Sequence, residues 1–128
     1  MELIPRKDYL RRLIKVITGV RGCGKTALMT LFIHELKAGG VEDDQIVRIN
    51  FEDYDAVELT DPKALHAWLT SKLRPERTVH FFLDEIQNVS DFRRVIDSLC
   101  VRDNVDIYLT VSSNTMPASD LAAPQGGR

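Results

Sequence analysis

An eight-residue stretch decides how this chain is expected to fold: Gly19-Val20-Arg21-Gly22-Cys23-Gly24-Lys25-Thr26. Two glycines five positions apart, followed by a lysine and a threonine, form the pattern of a phosphate-binding loop. The apolar residues 14–18 predict a buried strand before the loop, and residues 27–36 predict a helix after it. Strand, glycine-rich loop and helix in this order predict an anion-binding turn at the start of the helix.

The loop has the chemistry that a triphosphate requires. Its glycines let successive backbone N–H groups turn inward, and the start of the helix adds further N–H groups and a partial positive charge. Lys25 can reach the β- and γ-phosphates, and the Thr26 hydroxyl can be a ligand of Mg²⁺. We therefore predict nucleotide contacts from the whole loop and the first helical turn: Gly19, Val20, Arg21, Gly22, Cys23, Gly24, Lys25, Thr26 and Ala27.

Composition narrows the class of protein. The chain has 128 residues, 44% of them hydrophobic, and this length favours one globular domain. The formal net charge of -2 gives no sign of a nucleic-acid-binding surface. Cys23 and Cys100 are far apart and without a neighbouring Cys or His, so a zinc site is not expected. No signal peptide and no apolar run of membrane-spanning length is present, and we expect a cytoplasmic protein.

Strands and helices alternate along the chain. A short N-terminal helix is predicted from Pro5 to Leu13, and further strands are predicted at residues 45–51, 78–83 and 105–111. Helices are predicted after Asp61-Pro62 and Ser90-Asp91, where capping side chains precede apolar residues at helical spacing. This alternation predicts an α/β fold, a three-layer P-loop NTPase sandwich with about four parallel strands and without the fifth strand.

Acidic residues follow the third predicted strand of the sheet. Asp84 and Glu85 end the apolar run 78–83, and the polar residues Ser112, Ser113 and Asn114 follow the last strand. In parallel sheets ligands bind at the carboxyl ends of the strands, where the phosphate loop also lies. We predict that Asp84 holds Mg²⁺ together with Thr26, and that Glu85 is the general base for the attacking water. Asn114 would orient that water and sense the γ-phosphate.

The order of these motifs favours ATP. A strand at residues 45–51 lies between the loop and the acids, which is typical of the ATPase branch that keeps a glutamate beside the Mg²⁺ aspartate. The Asn-Lys-x-Asp motif by which small GTPases recognise guanine is absent.

Several stretches together resemble a known family. They are Ile17-Thr18-Gly19-Val20-Arg21, Ile49-Asn50-Phe51-Glu52-Asp53, Phe82-Leu83-Asp84-Glu85-Ile86-Gln87-Asn88-Val89 and Ser113-Asn114. The chain is similar over residues 4–115 to bacterial and archaeal AAA-type ATPases, whose N-terminal nucleotide domain precedes a C-terminal domain of uncertain function. The resemblance implies ATP and Mg²⁺ as ligands, with the roles given above. It adds Gln87 and Asn114 as residues on the γ-phosphate side.

The chain also departs from this family pattern. The last strand ends in Thr-Val-Ser-Ser-Asn where the family has Thr-Gly-Ser-Asn. We also expect that this chain lacks the family's C-terminal domain. We expect an ATPase domain at residues 1–115 and an irregular, truncated tail at 116–128. Without a fifth strand, the strand before the loop would have an open edge, which would favour self-association. AAA-type turnover usually needs an arginine from a neighbouring subunit, and Arg128 is either such an arginine or part of a frayed chain end.

Three functions remain open at this point. The first is Mg²⁺-dependent binding and hydrolysis of ATP, with Lys25 and Glu85 as catalytic residues. The second is a truncated domain that binds nucleotide, or is an inert interaction module, without turnover. The third is a phosphotransferase that acts on a small molecule. This hypothesis has the least support, because the sequence contains no recognisable acceptor pocket or basic lid.

Overall fold

The computed structural model of the chain describes residues 2–3, 14–19 and 24–112. Within these residues five strands form one sheet: β1 Glu2–Leu3, β2 Ile14–Gly19, β3 Ile46–Asn50, β4 Val79–Asp84 and β5 Val105–Ser112. The three α-helices are α1 Lys25–Ala38, α2 Pro62–Ser71 and α3 Phe92–Cys100. Short 3₁₀ segments lie at Asp43–Gln45, Tyr54–Thr60 and Ile86–Asn88.

The strands are arranged in the spatial order β1, β2, β5, β4, β3. The last four are parallel to one another, which confirms the predicted four-stranded parallel sheet. In this register Gly19 lies beside Ser112, and Asn50 lies beside Asp84. The carboxyl ends of the four parallel strands therefore meet along one edge of the sheet.

The edge of β2 differs from the prediction. The sequence predicted an open edge there, but β1 pairs with it in antiparallel direction, with Glu2 beside Val16 and Leu3 beside Lys15. The short β1 covers only this part of β2, and among the described residues no strand pairs with the outer edge of residues 17–19. The helix predicted from Pro5 to Leu13 and the tail at 116–128 lie outside the described residues.

Helices cover both faces of the sheet, as the strand pattern predicted. Alternate residues of β4 and β5 point to opposite sides, because side chains on a strand alternate. On one side a large apolar core joins the sheet to α2 and α3, through residues such as Phe81, Leu83, Leu69 and Leu99. On the other side a smaller core joins the sheet to α1. It contains Met29, Phe82 and Tyr108, with Phe32, Ile33, Leu36 and Ile46 around it.

The helix ends follow from the local sequence. Asp61 caps α2 by accepting a hydrogen bond from the Ala64 N–H at 2.9 Å, and Pro62 occupies the first helical position. Helix α1 ends at Ala38 with Gly39 as its C-cap, and Gly40 follows with φ +106°, a left-handed conformation that suits glycine. These ends direct the chain from each helix into the next part of the sheet.

Candidate functional site

The first turn of α1 presents Lys25 and Thr26 at the carboxyl edge of the sheet. Gly24 caps the helix with φ +97° and ψ 10°, which is favourable for glycine and strained for other residues. The Lys25 side chain is buried, and its Nζ donates to the Gly19 carbonyl at 3.4 Å. The predicted contact residues Val20, Arg21, Gly22 and Cys23 lie outside the described residues. Ala27 is exposed in the same turn.

The start of α1 is electrically favourable for an anion. The partial positive charge of the helix is strongest in this turn, and no acidic residue lies in it. On the side of the helix, Arg48 of β3 donates to the Thr26 carbonyl at 3.2 Å and to the Thr30 hydroxyl at 3.0 Å. Arg48 thus adds a second cation beside the turn that carries Lys25, a contribution that the sequence analysis missed.

Asp84 lies at the end of β4 and is completely buried. Its two carboxylate oxygens have different partners. Oδ2 accepts a hydrogen bond from the Thr26 hydroxyl at 2.9 Å, and Oδ1 accepts one from the Thr110 hydroxyl at 2.5 Å. The two predicted metal ligands, Thr26 and Asp84, are therefore in direct contact although they are 58 positions apart in the sequence.

Glu85 follows with an unusual backbone conformation. Its φ of 60° and ψ of 51° are left-handed, which is rare for a residue other than glycine. Its carboxylate accepts hydrogen bonds from the Ser112 hydroxyl at 2.8 Å and from the Gln87 amide at 3.0 Å. Gln87, predicted on the γ-phosphate side, thus lies beside the predicted base. Asn114 lies outside the described residues.

Sequence reasoning also missed Thr110, and it named Ser112 only as part of the polar group after the last strand. Thr110 and Ser112 are two positions apart on β5, so their side chains point to the same side of the strand. Thr110 contacts Asp84, and Ser112 contacts Glu85. The available signal was the pair of hydroxyl residues, Thr110 and Ser112, at the carboxyl end of β5.

The residues present fit Mg²⁺. A carboxylate and a hydroxyl are hard oxygen donors, and Mg²⁺ usually takes one or two protein ligands besides phosphates and water. Thr26 and Asp84 supply such a pair. The described part of the chain has no cluster of three or more His, Cys, Asp or Glu side chains that could form a full metal cage. The donor set is therefore one that suits a metal held partly by a phosphate ligand.

Comparison with known proteins agrees with this architecture. A family model described as an AAA domain matches residues 11–128. The chain is 30% identical over 135 residues to an uncharacterised protein of Haemophilus influenzae, and the match covers 98% of this chain and 34% of that protein. Its fold is similar to that of C. elegans PCH-2, with a TM-score of 0.59 and 19% identity over 93% of this chain and 35% of PCH-2.

The sheet order and the helices on both faces define an α/β fold like that of P-loop NTPases. The chain belongs to the AAA domain family and is therefore an ATPase-like domain. It corresponds to a minor part of the H. influenzae relative's length, 34%. None of the helices in the described residues is both long enough and apolar enough to span a bilayer.

Proposed function

We propose that this chain binds ATP together with Mg²⁺ and hydrolyses it. The observation that carries the proposal is the 2.9 Å hydrogen bond from Thr26 to Asp84. This hydrogen bond joins the phosphate-loop motif to the acidic motif. A nucleotide and its metal ion can contact both motifs only when the two are adjacent. ATP rather than GTP follows from membership of the AAA domain family and from the absence of a guanine-reading motif.

Each residue has a distinct task in this proposal. Lys25 and the backbone N–H groups of the loop hold the phosphates and neutralise their charge. Thr26 and Asp84 would hold Mg²⁺, which when bound supplies charge stabilisation at the phosphates. Glu85 accepts a proton from the attacking water as general base. In this reaction Gln87 and Asn114 orient the water or contact the γ-phosphate.

Turnover would be aided by association with a further copy of the chain. AAA-type sites are completed by an arginine from a neighbouring subunit, which stabilises charge in the transition state. We therefore expect the rate of phosphate release per chain to rise with protein concentration. A rate per chain that is independent of concentration would contradict this part of the proposal.

Binding without turnover is the second candidate function. It is favoured by the contacts of Glu85, whose carboxylate already accepts hydrogen bonds from Ser112 and Gln87 within the fold. A general base must share its carboxylate with the attacking water. If those internal bonds persist when ATP is bound, the chain would be a nucleotide-responsive module and not a hydrolase.

Replacement of Lys25 tests the proposed function. Loss of a charge-assisted phosphate contact costs about 1.5–3 kcal/mol, so Lys25→Ala should weaken binding of a fluorescent ATP analogue by about 10- to 150-fold. Lys37→Ala is the matched control, because Lys37 lies in the last turn of the same helix and pairs with the exposed Asp43. Phosphate release in the same samples separates the two candidates. Equal affinity of Lys25→Ala and wild type would refute the nucleotide site.

A further inference from the structure

Thr110 is a buried hydroxyl residue near the end of β5, with no exposed surface. It lies between the two acids. Its Oγ1 is 2.5 Å from Asp84 Oδ1 and 2.7 Å from the backbone nitrogen of Glu85. One hydroxyl group therefore contacts the side chain of the first acid and the main chain of the second.

The direction of both hydrogen bonds is fixed by chemistry. A backbone N–H can only donate, so the Glu85 N–H donates to the Thr110 oxygen. The hydroxyl has a single proton, and the Asp84 carboxylate is an acceptor. Thr110 must therefore donate its proton to Asp84 Oδ1. The hydroxyl has one orientation that satisfies both partners.

This orientation has a consequence for each acid. For Asp84, the bond to Oδ1 leaves Oδ2 on the side of Thr26, which is the side where the metal would be held. For Glu85, the bond to the N–H supports the left-handed backbone at φ 60°, a conformation that few residues other than glycine adopt without support. That backbone directs the Glu85 carboxylate toward Ser112 and Gln87.

We infer that Thr110 is a positioning residue of the nucleotide site, which sets the oxygen of Asp84 that faces Mg²⁺ and the backbone turn that directs Glu85. This inference rests on the proposed function. Thr110 itself touches neither nucleotide nor metal. It acts as an outer-shell partner, and loss of such partners typically costs about 10- to 100-fold in metal affinity or activity.

The test is a Mg²⁺ titration of binding of a fluorescent ATP analogue to the full chain. In Thr110→Val the hydroxyl is replaced by a methyl group of similar size. We expect this variant to require about 10- to 100-fold more Mg²⁺ for half of the Mg²⁺-dependent increase in affinity. Its affinity for the analogue in EDTA should equal that of wild type. A general packing defect would instead weaken binding in both conditions.

Matched variants separate the hydroxyl from other effects. Thr70→Val is the control, because the Thr70 hydroxyl donates to the Ala67 carbonyl of its own helix, α2. Thr110→Ser keeps the hydroxyl and should restore the wild-type Mg²⁺ requirement. If circular dichroism shows that Thr110→Val is unfolded, Thr110→Ser is compared with Thr110→Cys instead. The two side chains are similar in size, and only serine is a strong hydrogen-bond donor. Equal Mg²⁺ requirements of these two would then overturn the inference.

The outcomes distinguish this inference from the proposed function. If analogue binding does not depend on Lys25, the nucleotide site itself is refuted. If binding depends on Lys25 and folded Thr110→Val has the Mg²⁺ requirement of wild type, only the role of Thr110 is refuted. Binding that depends on Lys25 but does not respond to Mg²⁺ in wild type also overturns the role of Thr110.

Discussion

The neighbouring strands β4 and β5 carry polar residues at both of their ends, and the two ends differ in how these residues are hydrogen-bonded. At the carboxyl end, the hydroxyls of Thr110 and Ser112 donate to Asp84 and Glu85 at 2.5 and 2.8 Å. At the amino end, His80 lies directly across from Asp106 in the strand register, and its Nδ1 is 3.2 Å from the Asp106 carboxylate. The carboxyl end is a connected hydrogen-bond network. At the amino end, the buried His80 Nδ1 makes no hydrogen bond to any described residue.

The difference shows what a functional end of a sheet requires. Buried acids are costly unless hydrogen bonds compensate them, and the carboxyl end supplies neutral donors that leave the negative charge in place. Such a charge can still attract a metal ion. At the amino end the Asp106 side chain is 23% exposed, so solvent stabilises its charge. We interpret the amino end as structural and the carboxyl end as chemical.

The largest expected effect concerns turnover at the carboxyl end. Glu85→Gln keeps the size of the side chain and removes the base, so phosphate release should fall by about 10²- to 10⁴-fold while ATP binding persists. Glu35→Gln, an exposed change on α1, is the control. If Glu85→Gln releases phosphate at the wild-type rate, the base lies elsewhere and the two ends no longer differ in the proposed way.

A smaller effect is expected at Ser112. Ser112→Ala removes one donor to the Glu85 carboxylate, so orientation of the base is impaired and turnover should fall by about tenfold with little change in ATP affinity. Ser98→Ala is a matched control, because that hydroxyl contacts His66 between α2 and α3 at 2.8 Å. The measurement is steady-state phosphate release at saturating ATP. A faster rate would mean that Ser112 restrains Glu85 instead of orienting it.

The smallest expected effect is on stability at alkaline pH. It concerns Tyr108, which lies on β5 between the amino and carboxyl ends of the strand. Burial raises the pKa of Tyr108, and the charge of Asp106 raises it further. A tyrosine with a raised pKa in the folded state contributes stability that is present below its ordinary pKa of about 10. That stability is lost as the pH rises from there through the raised value. Unfolding in urea at alkaline pH should therefore show a weaker pH dependence in Tyr108→Phe than in wild type.

The control for this pH effect is Tyr54→Phe, since Tyr54 is 84% exposed. Phenolate absorbance should show one tyrosine that titrates late in wild type and in Tyr54→Phe, and that is missing from Tyr108→Phe. The same late titration in all three proteins would exclude Tyr108 as its source. ATP binding at neutral pH should not change in either variant.

The fold could be predicted from sequence because its signals are local. Apolar runs predicted the four parallel strands, at residues 14–18, 45–51, 78–83 and 105–111. The observed ends of these strands differ from the predicted ends by no more than one residue. The pairing of β1 could not be predicted in this way. Two residues are too short for a periodic pattern, and their partner, β2, begins more than ten positions later.

Helix α1 shows a second limit of local patterns. Leu28, Leu31, Phe32 and Leu36 form a stripe at helical spacing, but Leu31 is 49% exposed and Met29 is completely buried. A stripe through Met29, Phe32, Ile33 and Leu36 has equally good spacing. The choice between them depends on where Phe82 and Tyr108 lie in the sheet, which the helix sequence does not contain.

The site was predictable where a motif fixes the spacing. Lys25, Thr26, Asp84 and Glu85 follow from the phosphate loop and from acids after a strand, and their roles stay predictions. Thr110 was not predictable, because threonine occurs in many strands. Ser112 was predicted only as part of the polar group 112–114, without a role of its own. Their importance arises only from the sheet order, in which β5 lies between β2 and β4 and so brings its hydroxyls to both acids.

The most direct test of this account is a map of amide chemical shifts by NMR as Mg²⁺ and ATP are added to the wild-type chain. We predict that the largest changes occur at the carboxyl edge, at the amides of Lys25, Thr26, Glu85 and Ser112. The amides of His80 and Asp106, at the other end of the same strands, should change little. Changes centred on the amino end, or no changes at any amide, would contradict a nucleotide site at the carboxyl edge.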